Sequence, residues 1–188
     1  QNTITFNRTD PGAHGVTVAD FDFRMTPGIE RGDGFGFALL NTFYYDTTGA
    51  VGPDAGDAVF AEEEPIFTGS LGFGFGIYQS VGIPGYPDDI GNPNIRANFS
   101  NSISVHFNKN LVLQADATPI IDLASGRWIH ARIIVRAGDA TPNVSVILTP
   151  DGETPVTLID QASVPGLAPY ESRAYFGGRS GGATVDAD

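Results

Sequence analysis

The residues through which this chain could do chemistry are few. They are three histidines, a run of three glutamates, a Gly-x-Ser-x-Gly pentapeptide and a loop rich in Asp and Asn. The pentapeptide, Gly178-Arg179-Ser180-Gly181-Gly182, satisfies the pattern of a serine nucleophile elbow. An elbow needs a strand, a sharp turn and then a helix, and no helix-forming stretch follows, so a tight turn between strands is expected. His14, His106 and His130 lie far apart, each without a partner at metalloenzyme spacing. His130 sits in an alternating strand pattern and is expected at the surface or in an inter-strand hydrogen bond. Glu62-Glu63-Glu64 could suggest an acid and base pair, but glycosidases hold two carboxylates ~5–9 Å apart across a scissile bond. Consecutive residues in a polar loop do not set that separation, so a solvated acidic loop is expected. Asp88, Asp89, Asn92 and Asn94 fit either a rearranged calcium loop or, the reading favoured, a chain of Pro/Asn turns. Gly72, Gly74 and Gly76 alternate with phenylalanines, which makes a strand rather than a phosphate-binding turn. None of these groups points to an enzyme. Trp128, the single tryptophan, precedes the small and apolar Ala131, Ile133 and Val135 and is expected in the core or on a sheet face. Tyr44, Tyr45, Tyr78 and Tyr86 lie in or beside long loops and are the candidates for stacking on a ligand.

The composition narrows the partners. Ten Lys+Arg against 22 Asp+Glu give a formal charge of −12, which repels phosphate backbones and anionic lipid, so no nucleic-acid partner is expected. The absence of cysteine excludes Cys-ligated zinc and iron–sulfur sites. No apolar run approaches the ~20 residues of a membrane span, so no membrane insertion is expected. A chain of 188 residues fits one domain that buries roughly 70% of its unfolded surface, and residues 1–188 are read as a single domain. Twenty-four Gly, 13 Pro and 13 Phe describe short strands joined by tight turns, an all-β composition.

The elements that must position any site follow from a two-residue apolar period. Strands are expected from Val16 to Met25, Asp33 to Leu40, Leu71 to Tyr78, Ser102 to Asn108, Trp128 to Arg136, Asn143 to Thr149, Pro155 to Asp160 and Arg173 to Gly177. The phase of the first slips near Ala19. Turn signals stand at Asn108-Lys109-Asn110, Ser125-Gly126, Ala137-Gly138-Asp139 and Pro150-Asp151-Gly152. Two long loops, 46–69 and 80–100, are of the kind that is usually functional or mobile. No stretch carries a capped helical period. Two antiparallel sheets packed face to face are the economical architecture.

Three groups of segments resemble the L-type (legume-type) lectin domains of the concanavalin A-like lectin/glucanase superfamily, particularly bacterial secreted relatives. They are Gly32-Asp33-Gly34-Phe35-Gly36-Phe37-Ala38-Leu39-Leu40; Gly74 to Tyr78 with Asp89-Ile90-Gly91-Asn92-Pro93 and Asn101 to Val105; and Trp128 to Ile133 with Val144-Ser145-Val146 and Tyr175 to Gly182. The resemblance implies a jelly-roll β-sandwich with sugar bound on loops above one sheet. It makes Asp33 the acceptor of sugar hydroxyls, after a cis peptide from Gly32, with Gly34 beside it. It makes Asn92 a remaining oxygen ligand and Arg179, Ser180, Gly181 and Gly182 the loop lining the same pocket. Gly74 and Gly76 stand where the family has Glu and Asp, Ser80 where it has Asn, and Ser102 where it has His. Calcium is therefore the one metal candidate, its ligands are largely absent, and no cofactor is expected. The expected function is a non-catalytic carbohydrate-binding module, secreted or on a cell surface, whose partner is a glycan or an extracellular protein surface. The alternative is a structural or adhesive subunit of an extracellular filament or surface assembly with a vestigial sugar site. Against the family pattern a strand is expected to be missing at each end, which leaves an open sheet edge; a fragment of a longer protein, incompletely defined ends, and self-association by strand exchange between neighbouring copies are the competing explanations.

Overall fold

Large apolar side chains alternating with glycine, serine or charged residues give each strand one face to bury and one to cover. The computed structural model describes residues 2–27, 32, 34–52, 63–77, 101–179 and 185–187. The strands are β1 (Asn2–Thr5), β2 (Val16–Phe23), β3 (Met25–Pro27), β4 (Gly34–Asn41), β5 (Leu71–Gly76), β6 (Ser102–Phe107), β7 (Asn110–Asp116), β8 (Ile129–Arg136), β9 (Asn143–Pro150), β10 (Val156–Ser163), β11 (Ser172–Arg179) and β12 (Val185–Ala187). One helical turn, α1 (Thr42–Tyr45), follows β4, its first turn capped by the Asn41 side chain, which accepts from the Phe43 amide at 3.0 Å. A six-stranded sheet runs β1-β11-β4-β5-β6-β7, a four-stranded sheet β10-β9-β8-β2, and β12 pairs with β3. Every pairing is antiparallel.

The inward faces of the two larger sheets share one core. Phe35, Phe37, Phe73, Phe75, Ile103 and Val105 from one sheet meet Phe23, Ile129, Ile133, Val146 and Leu148 from the other. Phe35 and Phe75 are directly paired in register and stack with centroids 4.5 Å apart. The phase slip in β2 resolves here: Ala19, Phe21 and Phe23 face the core, whereas Val16 and Val18 point to solvent. Asn108 and Lys109 both have positive φ and form the two-residue turn from β6 to β7, whose positive φ at both residues matches a type I′ hairpin.

The outer face of the six-stranded sheet is also covered. Residues 42–52 and 63–70 lie over it, where Tyr45 and Phe67 pack on Ala38, Leu40 and Tyr175. The Arg173 guanidinium is buried and donates to the carbonyls of Tyr45 (2.6 Å) and Gly49 (2.8 Å). Burial holds it below the ordinary arginine range, against the opposing pull of Asp46. Part of the loop expected to be functional or mobile is thus a second small core. Tyr45 belongs to that core and is not free to stack on a ligand.

Several expectations are corrected or decided. Glu63 and Glu64 are buried rather than solvated. Trp128 lies outside the core, 44% exposed, with the Arg24 guanidinium 5.1 Å from its ring centroid. Strands β1, β7 and β12 were not read from the sequence, and the strand expected from Val16 to Met25 divides into β2 and a separate β3 that pairs with β12. Finally, β10 extends to Ser163, carried past two bulges that break its two-residue period.

The Tyr170 hydroxyl donates to the Leu39 carbonyl (2.8 Å) and accepts from the Leu71 amide (2.9 Å), bridging β4 and β5. Tyr170→Phe leaves that buried amide without its acceptor and is expected to cost about 1–3 kcal/mol in urea unfolding. Burial pushes the Tyr170 phenol well above its ordinary value of 10.0. The unfolded chain therefore ionises first, so the residue's contribution is present below pH 10.0 and is lost as pH rises. The stability gap between wild type and Tyr170→Phe should close in alkaline melts.

Candidate functional site

The site is best located from the sheet register. Arg179 of β11 pairs with Gly34 of β4, Gly34 with Gly76 of β5, Gly76 with Ser102 of β6, and Ser102 with Asp116 of β7. These residues form one row across one end of the six-stranded sheet. The chain enters β4 and β6 there and leaves β5 and β11 there, so the segments around 33, 78, 100 and 180 all start from the same rim. These are the segments that carry the expected site residues.

Gly34 is described in full. Its φ is +143°, and a Cβ there would collide with the Phe75 carbonyl oxygen. Only glycine lets β4 approach β5 so closely at the rim, so Gly34 shapes the site through the backbone. Arg179 is placed by its backbone as the last residue of β11. Asp33, Asn92, Ser180, Gly181, Gly182 and the Arg179 side chain lie outside the described residues, as do Tyr78, Tyr86 and the Asp88-Asp89 loop. No cis peptide occurs among the described residues; the expected one involves Asp33 and lies outside them.

Two to four residue pairs inward from the rim, at Gly74–Ser104 and Gly72–His106, is a polar cluster that sequence reasoning missed. The Glu64 carboxylate reaches over Gly74, where Oε2 lies 2.6 Å from His106 Nε2 and accepts from the Ser104 hydroxyl. Ser104 Oγ is also 2.9 Å from the same imidazole nitrogen. His106 is only 1% exposed. A side chain at Gly74 would collide with Ser104 Oγ and the Glu63 carbonyl and would press on the Glu64 carboxylate, and one at Gly72 would collide with the Pro65 carbonyl. The alternating glycines of β5 thus open the room through which residues 63–65 lie against the sheet. Gln114 extends the polar row, donating to Ser102 Oγ at 2.9 Å.

The arrangement limits what chemistry the cluster can do. A catalytic triad needs serine on one imidazole nitrogen and the carboxylate on the other. Here both meet Nε2, and Nδ1 has no hydrogen-bond partner among the described residues. The cluster is a buried brace rather than an activated nucleophile. It also bears on the metal that the lectin fold implies. Gly74 and Gly76 offer no side-chain oxygen, and Glu64, the carboxylate that fills their space, is already bonded to Ser104 and His106. Among the described residues no group of three or more His, Asp or Glu could hold a metal ion. The described residues at Gly74 and Gly76 thus supply no metal ligand, and the Asp88-Asp89 loop with Asn92 lies outside the described residues.

No protein-family model matches the chain, and no curated protein is significantly similar to it. Solved structures are. Peanut lectin, with a nine-residue peptide, aligns with a TM-score of 0.59 at 14% identity, covering 94% of this chain and 68% of the lectin. Lectin II from Ulex europaeus aligns at 0.61 and 17% identity, covering 92% and 69%. Lectin UEA-II in complex with galactose aligns at 0.58 and 15% identity, covering 100% and 74%. The chain therefore has the legume-type lectin fold, a jelly-roll sandwich of two antiparallel sheets.

Removing one member of a buried hydrogen-bonded pair leaves the other without its partner. Glu64→Ala is expected to destabilise the protein by about 1–3 kcal/mol. In a double-mutant cycle Glu64→Ala should cost markedly less when His106 is already alanine. Additive effects in chemical denaturation would show that the two side chains are not coupled.

Proposed function

We propose that the protein is a non-catalytic carbohydrate-binding module of a secreted or cell-surface protein, and that its sugar site is the rim of the six-stranded sheet. The observation that carries this reading is the register that aligns Arg179, Gly34, Gly76 and Ser102 in one row. Two segments distant in sequence, the one holding Asp33 and the one holding Ser180, Gly181 and Gly182, begin from adjacent strands at that row. In this reading the Asp33 carboxylate accepts from two sugar hydroxyls. Backbone amides of Gly34 and of the 180–182 loop donate to sugar oxygens, while Asn92 and Arg179 border the pocket. A carboxylate and nearby amides suit an uncharged polyhydroxyl ligand, since hydroxyls both donate and accept. The galactose bound by one lectin of the same fold agrees with that ligand class.

The reading dispenses with a metal. The Glu64, Ser104 and His106 brace holds residues 63–65 against β5 and β6 through side chains alone, and no cofactor is invoked. The reading also dispenses with covalent chemistry, since Ser104 and His106 are buried in that brace with Ser104 and Glu64 on the same imidazole nitrogen.

A glycan array probed with and without chelator, alongside Asp33→Ala, tests the proposal. Binding is expected to persist in chelator and to fall at least tenfold in the variant. An array on which the folded wild type binds nothing would overturn it and favour the structural or adhesive role.

A further inference from the structure

A second feature lies on the outer face of the four-stranded sheet. Asp22 of β2 pairs in register with His130 of β8, and His130 with Thr149 of β9. This row projects to solvent from the outer face of the four-stranded sheet. It lines an open groove of about 540 Å³ together with Trp128 and the Pro150 to Glu153 turn. That volume falls in the range of small-molecule sites.

The groove is held in shape from several sides. The Asp151 amide donates to the Trp128 carbonyl at 2.9 Å, setting the turn against the tryptophan. Arg127 and Glu153 pair at 2.6 Å beside it. His130 is fixed between Asp22 (2.8 Å from Nδ1) and Asp20 (3.3 Å from Nε2), and Asp20 is also bonded by the Arg132 Nε at 2.8 Å. The Arg132 hydrogen bond holds the Asp20 carboxyl below its ordinary value. Asp20 is therefore occupied, whereas Asp22 uses one oxygen. Among the described residues the second Asp22 oxygen, the Thr149 hydroxyl and the Trp128 indole N–H make no hydrogen bond.

These groups define a ligand by exclusion. Arg24 already stacks over the indole, which disfavours a second cation there. Asp22, Asp151 and Glu153 repel an anion. A purely apolar ligand would leave the carboxylate, hydroxyl and indole N–H unpaired. What remains is a neutral polyhydroxyl molecule with one apolar face. We propose that this groove is a second carbohydrate site, in which the exposed part of Trp128 packs against the C–H face of a pyranose ring. Asp22 accepts a sugar hydroxyl, while Thr149 and the indole N–H take the neighbouring oxygens.

Trp128 is the only tryptophan in the chain, so its fluorescence reports on this groove alone. The test titrates galactose, glucose, mannose and cellopentaose into wild type, Asp22→Ala, Asp22→Asn and Asp33→Ala, each checked for native circular dichroism. At least one probe should give a saturable emission change. That change should persist in Asp33→Ala, which lacks the proposed rim acceptor, and should need about tenfold more ligand in either Asp22 variant. No saturable change with any probe, unchanged affinity in the Asp22 variants, or loss of the signal in Asp33→Ala would overturn the second site. Because the loss in Asp33→Ala on the array reads the rim and tryptophan emission reads the groove, either proposal can fail alone.

Discussion

The close contact between the glycine face of β5 and residues 63–65 is the constraint on which the rest of the structure depends. A sheet in a two-layer sandwich buries one face and needs something to protect the other if that face is not polar. In this chain the outer face of β4 and β5 is glycine, alanine and leucine, which would be poor surface in water. Its cover is the segment that carries Glu64, Pro65 and Phe67, which fits only because Gly72 and Gly74 present no Cβ. The same absence of side chains admits a carboxylate to a place where it must be neutralised by hydrogen bonds, and Ser104 and His106 of the next strand supply them. Burying such a group is costly unless every bond is made, so the brace specifies where the loop sits as much as it stabilises it.

The fold was largely legible because its strands keep a strict two-residue period. Eight strands were readable from alternation, and the turn at Asn108-Lys109 from its residue types. The misses have specific causes. β1 is short and exposed, with little apolar contrast. β7 contains Leu111-Val112-Leu113, and Val112 is the extra residue at the bulge between the Val105 and His106 pairings, so its alternation is broken. β12 has three residues and pairs only with β3.

Of the expected site residues, the described ones are Gly34 and the backbone of Arg179. Gly34 and Arg179 fall beside each other as the resemblance implied, because β4 and β11 are neighbours. Nothing in the sequence could show that Glu64 crosses to His106, 42 residues away, because a glutamate run in a polar loop has the composition of solvent-facing chain. The only signal was indirect: a strand with glycine at every second position must have something lying against it. Of the two places open to Trp128, core or sheet face, the alternation decides for the face. Its strand is buried on alternate residues, and Trp128, one position before Ile129, belongs to the exposed set with His130 and Arg132.

The two sheets therefore carry different kinds of surface. One ends in a rim where Arg179, Gly34, Gly76 and Ser102 lie in one row; the other presents a row of polar side chains beside an aromatic ring. Backbone-built and side-chain-built sites would respond differently to ligand size, the first enclosing a terminal sugar and the second lying along a chain. The most direct measurement of the central claim is a crystal structure of the protein with the glycan it binds most tightly. A sugar ring at the ends of β4 and β11, with its hydroxyls on Asp33 and on the amides of Gly34 and the 180–182 loop, is the predicted result. A glycan seated elsewhere, with the rim empty, would contradict it.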